Sequence, residues 1–433
     1  MDGGWYETDG GEILESLLEA KKYSTARCAT TSYRTEKLSV EKALEIYELL
    51  VESEPHHCYD DETEVLTSEG FKFWKDLTKT EKLASVTQDG DFNGFVKPSS
   101  WVDKEYVREV YEINTKLISS VVTPNHRVLY KYRKNGSIKS ENLVATVEEL
   151  KGRPYYVPLS PNFRGTCEES EEYIQGKLHG FALGDGFVNK DTPGTLKFRL
   201  KKDRKISELE YMLKYLSKEY ATVIREGVTE ISVRGLLNAR ELLYDECGNK
   251  KMPQDYLTKS LDYQIGLFQG LCISDGTPKR TGFKFTSTSK SLADGFYNLS
   301  LVLGFGSCSM SFKKSENPKW KDNWIVTSRV SEFALVNDPR KPESHMTKRE
   351  YSGRVYCATV DGGFLIVRRK GQVYVSGNSV PLEHVARPLS YPKSKSFDDD
   401  LCTHVARDGW CWSGNLRGWG SIRKEVTGST LDK

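Results

Sequence analysis

The sequence predicts a multidomain protein: an all-β domain interrupted by an α/β insertion and flanked by mainly helical α/β segments. Three observations carry this expectation. The chain has 433 residues, more than one hydrophobic core commonly organises. Its residue spacing changes from helical to strand-like near residue 58, to mixed near 168 and back to strand-like near 354. An internal repeat lies inside the mixed stretch.

Taken in order, residues 38–54 set Leu38, Ala43, Leu44, Ile46, Tyr47, Leu49 and Leu50 at roughly helical spacing. Ser39 serves as N-cap and Glu54-Pro55 closes the helix. From Cys58, short β-type runs at 64–67, 82–86, 108–114, 119–123 and 127–132 are separated by turns such as Gln88-Asp89-Gly90 and Lys134-Asn135-Gly136. Helices and strands then alternate through about Val336. Residues 354–376 return to strand texture, with turns at Gly362-Gly363 and Lys370-Gly371.

Composition narrows the function classes. Hydrophobic residues at 37% and aromatics at 11% argue against disorder, and a net charge of +2 identifies neither an acidic tail nor a wholly basic binder. The longest apolar runs fall short of the ~20 residues of a membrane helix and the first residues are acidic, so a cytoplasmic protein without membrane contact is expected. Nine cysteines without a regular framework fit a reducing compartment, where each thiol is a possible nucleophile.

The repeat carries the first chemistry. Tyr173-Ile-Gln-Gly-Lys-Leu-His-Gly-Phe-Ala-Leu-Gly-Asp-Gly186 and Tyr263-Gln-Ile-Gly-Leu-Phe-Gln-Gly-Leu-Cys-Ile-Ser-Asp-Gly276 are both apolar helices ending in Asp-Gly. Gly176, Gly180 and Gly184 recur every four residues, as do Gly266 and Gly270, so two such helices can pack with their backbones close. That packing sets Asp185 and Asp275 side by side, a hard-oxygen site suited to Mg²⁺ and to phosphodiester cleavage. Residues 173–336 hold 25 Lys and Arg against 18 Asp and Glu, a cationic bias confined to the insertion. A plain packed interface with two C-terminal turns explains one such segment better than it explains two.

These motifs resemble those of the LAGLIDADG homing endonucleases, over roughly residues 170–336. The resemblance implies a pseudo-twofold unit whose curved sheets read double-stranded DNA at the host gene lacking the insertion. It assigns Asp185 and Asp275 as catalytic residues and Mg²⁺ ligands. It also implies an active-site lysine, for which Lys313 is a candidate beside Lys202 and Lys314. Strands at 195–200, 229–233, 282–287 and 323–328 could form the sheets.

The surrounding β segments carry a second signature. Cys58-Tyr-Asp-Asp-Glu-Thr-Glu-Val-Leu-Thr, Thr123-Pro-Asn-His126, Val355-Tyr-Cys-Ala-Thr-Val360 and Val373-Tyr-Val-Ser-Gly-Asn-Ser379 stand in the order of intein blocks. Residues 58–165 and 338–378 thus resemble a Hint-type splicing domain split by an endonuclease at 166–337. The chemistry suits the residue types: the Cys58 thiol can attack the carbonyl of His57, His126 can protonate the departing nitrogen, and Thr123 can polarise or strain the bond. Ser379 then takes the acyl group and Asn378 cyclises, with no cofactor. Two departures stand out. Gly377 occupies a position where many inteins have His, and no His lies between Tyr356 and Asn378. Cys357, where Asp is common, is the expected polarising or proton-shuttling group for Asn378, against the plain alternative of a buried strand residue.

Joined together, residues 1–57 and 379–433 resemble part of a flavin-dependent thymidylate synthase, through Ala26-Arg-Cys-Ala-Thr-Thr-Ser-Tyr33, Pro381-Leu-Glu-His384 and Gly414-Asn-Leu-Arg-Gly-Trp-Gly-Ser-Ile-Arg-Lys424. The resemblance implies FAD near His384, dUMP phosphate at Arg417 or Arg423, and a homo-oligomer after splicing. The family's Arg-His-Arg-x-x-Ser signature is absent, so the flanks are expected to be a C-terminal part that works with a missing N-terminal part. The alternative reading is a synthase fragment carrying an insertion whose endonuclease has decayed.

Overall fold

The computed structural model describes residues 58–134, 137–235, 239–279, 282–317, 321–329, 331–340, 345–378, 410–414 and 420–424. The helix expected at 38–54, together with Ser379, His384, Arg417 and the side chain of Arg423, lies outside the described residues. The chain divides into two compact units, His56–Ser379 and the joined ends Met1–Pro55 with Val380–Lys433.

The larger unit opens with strands β1 (Thr63–Thr67), β2 (Gly70–Phe73), β3 (Leu83–Val86), β4 (Phe92–Val96), β5 (Ser100–Asn114), β6 (Ser119–Val122), β7 (Arg127–Tyr130), β8 (Arg133–Lys134), β9 (Ser137–Ile138), β10 (Leu143–Thr146) and β11 (Tyr155–Pro158). The insertion follows as α1 (Glu171–Asp185), β12 (Gly186–Val188), β13 (Leu196–Leu200), α2 (Asp203–Tyr215), β14 (Tyr220–Arg225), β15 (Val228–Val233) and α3 (Ala239–Leu243). It then repeats as α4 (Leu261–Asp275), β16 (Gly276–Lys279), β17 (Gly282–Ser287), α5 (Lys290–Val302), β18 (Ser307–Lys313) and β19 (Asn323–Arg329). Strands β20 (Phe333–Val336), β21 (Met346–Thr359), β22 (Phe364–Arg369) and β23 (Gln372–Gly377) close the unit. In the smaller unit, β24 (Trp410–Gly414) and β25 (Gly420–Lys424) form an antiparallel hairpin.

Strands from both ends of the larger unit share sheets. One sheet runs β2-β1-β22-β3-β4 with β23 on β22, and another runs β21-β5-β6. The first is buried on both faces, which explains the unbroken apolar runs of its strands. Leu66, Ala84, Val86, Phe364, Ile366, Val373 and Val375 enter one core, continuous with the insertion. Val65, Leu83, Leu365, Val367 and Tyr374 enter the other with Cys58, Tyr59 and Cys357. The period-two alternation of a strand thus feeds two cores at once.

β5 and β21 pair from Ser100↔Thr359 to Ile113↔Met346. Sequence spacing marks only residues 108–114 and 354 onward, because the rest of this ribbon is partly solvated and carries Asp103, Lys104, Glu105, Lys348, Arg349 and Glu350 without apolar alternation.

In the insertion, α1 and α4 cross with their backbones in contact. A Cβ at Gly176, Gly180, Gly266 or Gly270 would overlap the carbonyl oxygen of Tyr263, Leu267, Tyr173 or Lys177, respectively. Each helix is N-capped by a serine: Ser170 Oγ accepts from Tyr173 N at 3.2 Å and Ser260 Oγ from Tyr263 N at 3.3 Å. Each leads directly into a four-stranded antiparallel sheet, β12-β13-β15-β14 or β16-β17-β19-β18. No helix of the described residues is long and apolar enough to cross a membrane.

Candidate functional site

Two sites stand out, and the first gathers both ends of the segment 58–378. Tyr59 exchanges backbone hydrogen bonds with Tyr356, both at 2.9 Å, and also bridges to Val122, so residue 58 is drawn between two strands. Next to such a hydrogen-bonded pair, antiparallel register sets Cys58 across from Cys357 at a non-hydrogen-bonded position, where side chains lie closest. Both cysteines are fully buried. Burial pushes the Cys58 thiol well above its ordinary range, and the neighbouring Cys357 adds to the rise while Lys104 opposes it.

Thr123 grips Cys58 from the β6–β7 turn. Its Oγ1 accepts from the Cys58 N–H at 3.1 Å, and its own N–H donates to the Cys58 carbonyl at 3.1 Å. The turn continues to His126, whose N–H donates to the Thr123 carbonyl at 2.9 Å. The His126 ring is buried edge-on against Tyr59, centroids 4.6 Å apart, and its Nε2 lies 2.8 Å from Ser376 Oγ. A cavity of about 20 Å³ beside it, lined by Ser120, His126, Tyr374 and Ser376 among apolar side chains, has room for one water.

Asn378 arrives at the end of β23 and is also buried. Its N–H donates to the Gly363 carbonyl at 3.2 Å and its Nδ2 to the Val360 carbonyl at 2.9 Å, while Oδ1 has no hydrogen-bond partner among the described residues. Gly377 has a packing cause: a Cβ there would overlap the carbonyl oxygen of Arg127. The strand therefore has no room for a histidine at 377.

The second site lies where α1 and α4 end. A Cβ on Gly184 would stand 3.1 Å from Asp275 Oδ2, so the carboxylate of one helix lies against the last turn of the other. Burial first, and then the Asp185 charge, raise the Asp275 carboxyl; Lys250 and Lys205 pull it back. Lys205 Nζ donates to Asp185 Oδ2 at 2.5 Å and to the Ser274 carbonyl at 2.7 Å. Lys250 Nζ donates to the Gly184 carbonyl at 2.6 Å, and its burial outweighs both carboxylates and lowers its pKa to about 8.

Lys313 lies elsewhere, exposed at the end of β18 opposite Asn323, and Lys202 is the N-cap residue of α2. The lysines near the carboxylates are Lys205, one turn beyond Lys202, and Lys250, in the connection before α4. Neither carries a sequence signal, since only chain closure brings them to the helix ends. Tyr59 and Ser376 stand inside two of the quoted blocks, but residue type alone gives them no role there.

The oxygen set of this second site suits a hard divalent cation. Lys205 lies on the Asp185 carboxylate and the Ser274 carbonyl, Lys250 lies on the Gly184 carbonyl, and Asp275 adds a second carboxylate beside Gly184. Among the described residues no three His, Cys, Asp or Glu side chains cluster as metal ligands, so backbone and water oxygens would complete the shell.

No family model matches the chain. It is 24% identical over 360 residues to the beta subunit of ribonucleoside-diphosphate reductase of Aquifex aeolicus (strain VF5), covering 74% of this chain and 50% of that protein. It is 25% identical over 307 residues to the ATP-dependent DNA helicase Hel308 of Methanocaldococcus jannaschii, covering 64% of this chain and 24% of that one. The chain thus spans half the length of the first relative and about a quarter of the second. Among solved structures it is similar to I-DmoI in complex with DNA and Mn, at 11% identity and a TM-score of 0.26 over 37% of this chain and 92% of that one. It is also similar to a class 3 split intein in a splice-inactive variant, at 10% identity and a TM-score of 0.26 over 75% and 99%. At such scores neither likeness establishes the fold.

Proposed function

We propose that residues 58–378 form an intein, a self-splicing Hint-type domain that excises itself and joins His57 to Ser379, and that its insertion is a site-specific LAGLIDADG DNA endonuclease. The observation that carries the reading is the meeting of both ends of the segment in one buried site: the Tyr59 hydroxyl donates to the Gly377 carbonyl across 318 positions of sequence, beside Thr123 and His126. A second support comes from the relatives. A reductase subunit and a DNA helicase are named for unrelated activities, yet they align with 74% and 64% of this chain, as a portable insert would produce.

The chemistry proceeds in balanced steps. The Cys58 sulfur adds to the His57 carbonyl carbon, the bond from that carbon to the Cys58 nitrogen breaks, and the thiol proton ends on the nitrogen. Thr123 Oγ1 holds the existing N–H of that nitrogen while His126 delivers the second proton. The Ser379 oxygen displaces the Cys58 sulfur from the thioester, returning a thiol. Asn378 Nδ2 then attacks its own carbonyl carbon, the bond to the Ser379 nitrogen breaks, and a proton passes from Nδ2 to the new amine. An oxygen-to-nitrogen acyl shift completes the peptide bond. Cys357 belongs to this machinery through its place against Cys58, and we retain it as a proton-handling group; unchanged rates of both terminal cleavages in Cys357→Ala would remove it.

In the insertion, Asp185 and Asp275 with the Gly184 and Ser274 carbonyls would hold Mg²⁺, which when bound supplies an acidic water and stabilises the leaving oxygen. Lys205 and Lys250 set the local positive charge for a phosphate. The sheets offer DNA their outward residues: Leu196, Phe198 and Leu200 are buried, leaving Lys197 and Arg199 on the open face, while Phe283 and Phe285 leave Lys284. Lys313, Ser309 and Ser311 of β18 are level with Asn323, Thr327 and Ile325 of β19 on that second sheet. Lys313 therefore serves DNA contact in this reading. The flanks, on their motifs alone, are read as part of a flavin-dependent thymidylate synthase using FAD and dUMP.

The test uses DNA carrying the uninterrupted host junction. Mg²⁺-dependent double-strand cutting is expected, abolished by Asp185→Asn or Asp275→Asn with splicing retained; no cutting by the wild type would overturn the nuclease half of the reading.

A further inference from the structure

We infer that Tyr59 is a positioning residue for cleavage at the Asn378 junction, its hydroxyl doing from across the site what no side chain at 377 can do. The inference rests on the splicing reading above. The Tyr59 hydroxyl donates to the Gly377 carbonyl, the oxygen of the peptide group that enters Asn378. The N–H of that same peptide group donates to the Gly363 carbonyl at 3.2 Å. Both polar groups of the peptide are therefore held, which fixes the plane from which the Asn378 backbone turns. With Nδ2 held by the Val360 carbonyl at 2.9 Å, few rotations remain between the resting amide and the five-membered ring it must close.

Tyr59 is built to hold a position. It is fully buried, stacked on Trp74 at 5.6 Å and 14°, and packed against the His126 edge, so its ring has no alternative rotamer to lose on donating. Burial keeps the phenol protonated well above its ordinary range, so it remains a donor wherever splicing is measured. The overlap that a Cβ at 377 would make with Arg127 explains why the contact comes from the opposite strand. Because Tyr59 directly follows Cys58, one side chain touches His126 and the peptide that enters the second junction.

The experiment compares two half-reactions in the full chain. C-terminal cleavage is followed by mass spectrometry in a Cys58→Ala background, and thioester formation by hydroxylamine cleavage in an Asn378→Ala background. Adding Tyr59→Phe removes one oxygen and is expected to lower the ratio of C-terminal to N-terminal rate about tenfold. Incorporation of 3-fluorotyrosine at 59, which keeps the hydroxyl as a stronger donor, is expected to raise the ratio above wild type. An unchanged ratio overturns the inference, whether both rates hold or both fall together, since a merely structural role lowers both. If Tyr59→Phe fails to fold, the 3-fluorotyrosine protein decides alone: its stronger donor must raise the ratio above wild type. Failure of Cys58→Ala and Asn378→Ala to block their own steps would instead sink the splicing reading itself.

Discussion

Gly377 lies so close to the Arg127 backbone that the strand has chosen packing over a side chain. Gly377→His is therefore expected to destabilise the protein by about 1–3 kcal/mol by calorimetry, without accelerating C-terminal cleavage; a faster, stably folded variant would contradict this. Cys58 carries a pH expectation. The thiolate is the nucleophile, and a thiol raised by burial is mostly protonated at neutral pH, so dithiothreitol-induced N-terminal cleavage of Asn378→Ala should climb continuously from pH 6 to 9. A plateau below pH 8 would contradict the raised thiol. Lys250 is an opposite case, with its pKa lowered to about 8 by burial. The unfolded chain binds that proton more tightly, so stability should rise with pH from about 8 toward the ordinary lysine range. Lys250→Met should remove that slope and stabilise the protein at pH 7 by about 1–3 kcal/mol while lowering DNA cleavage. Lys250 illustrates what the sequence hides: a lysine in a connecting turn has no period or motif, and only the closing of the chain gives it carboxylate neighbours.

At the scale of elements, the glycine spacing of α1 and α4 could be read directly, because close backbone approach admits glycine alone at those four positions. Gly270→Val should prevent that crossing, eliminating DNA cleavage and lowering the thermal midpoint of the insertion; a variant that keeps full cleavage would contradict it. The strands at 282–287 were legible from alternation of Phe283, Phe285 and Ser287 with solvated neighbours. The first half of β5 was not, since a ribbon with charged residues on it has no apolar alternation to reveal it.

The larger unit is coupled through one sheet that two cores share. Leu66, Phe364 and Ile366 face the insertion, while Val65, Leu365 and Val367 face the junction site. Arg368 reinforces the seam, donating to Glu64 Oε2 at 2.6 Å and stacking 4.1 Å over Phe71. Replacing 166–331, which leaves β20 paired with β11, by a short linker should therefore expose that apolar face and give an aggregating, poorly spliced product, whereas Asp185→Asn should splice normally; soluble and efficient splicing by the deletion would contradict a shared core. The order of motifs along the chain was legible because each stands for local chemistry. The sharing of the sheet was not, since unbroken runs such as Phe364-Leu365-Ile366-Val367 show burial on both sides without naming what covers each.

The most direct measurement is intact mass spectrometry of the purified chain after incubation in reductant, beside the Cys58→Ala, Asn378→Ala double variant. Splicing by the junction site should convert the 49.2 kDa chain into species of about 36 kDa and about 13 kDa, absent from the variant. A wild-type chain that persists alone at 49.2 kDa, or the same two products from the variant, would contradict it.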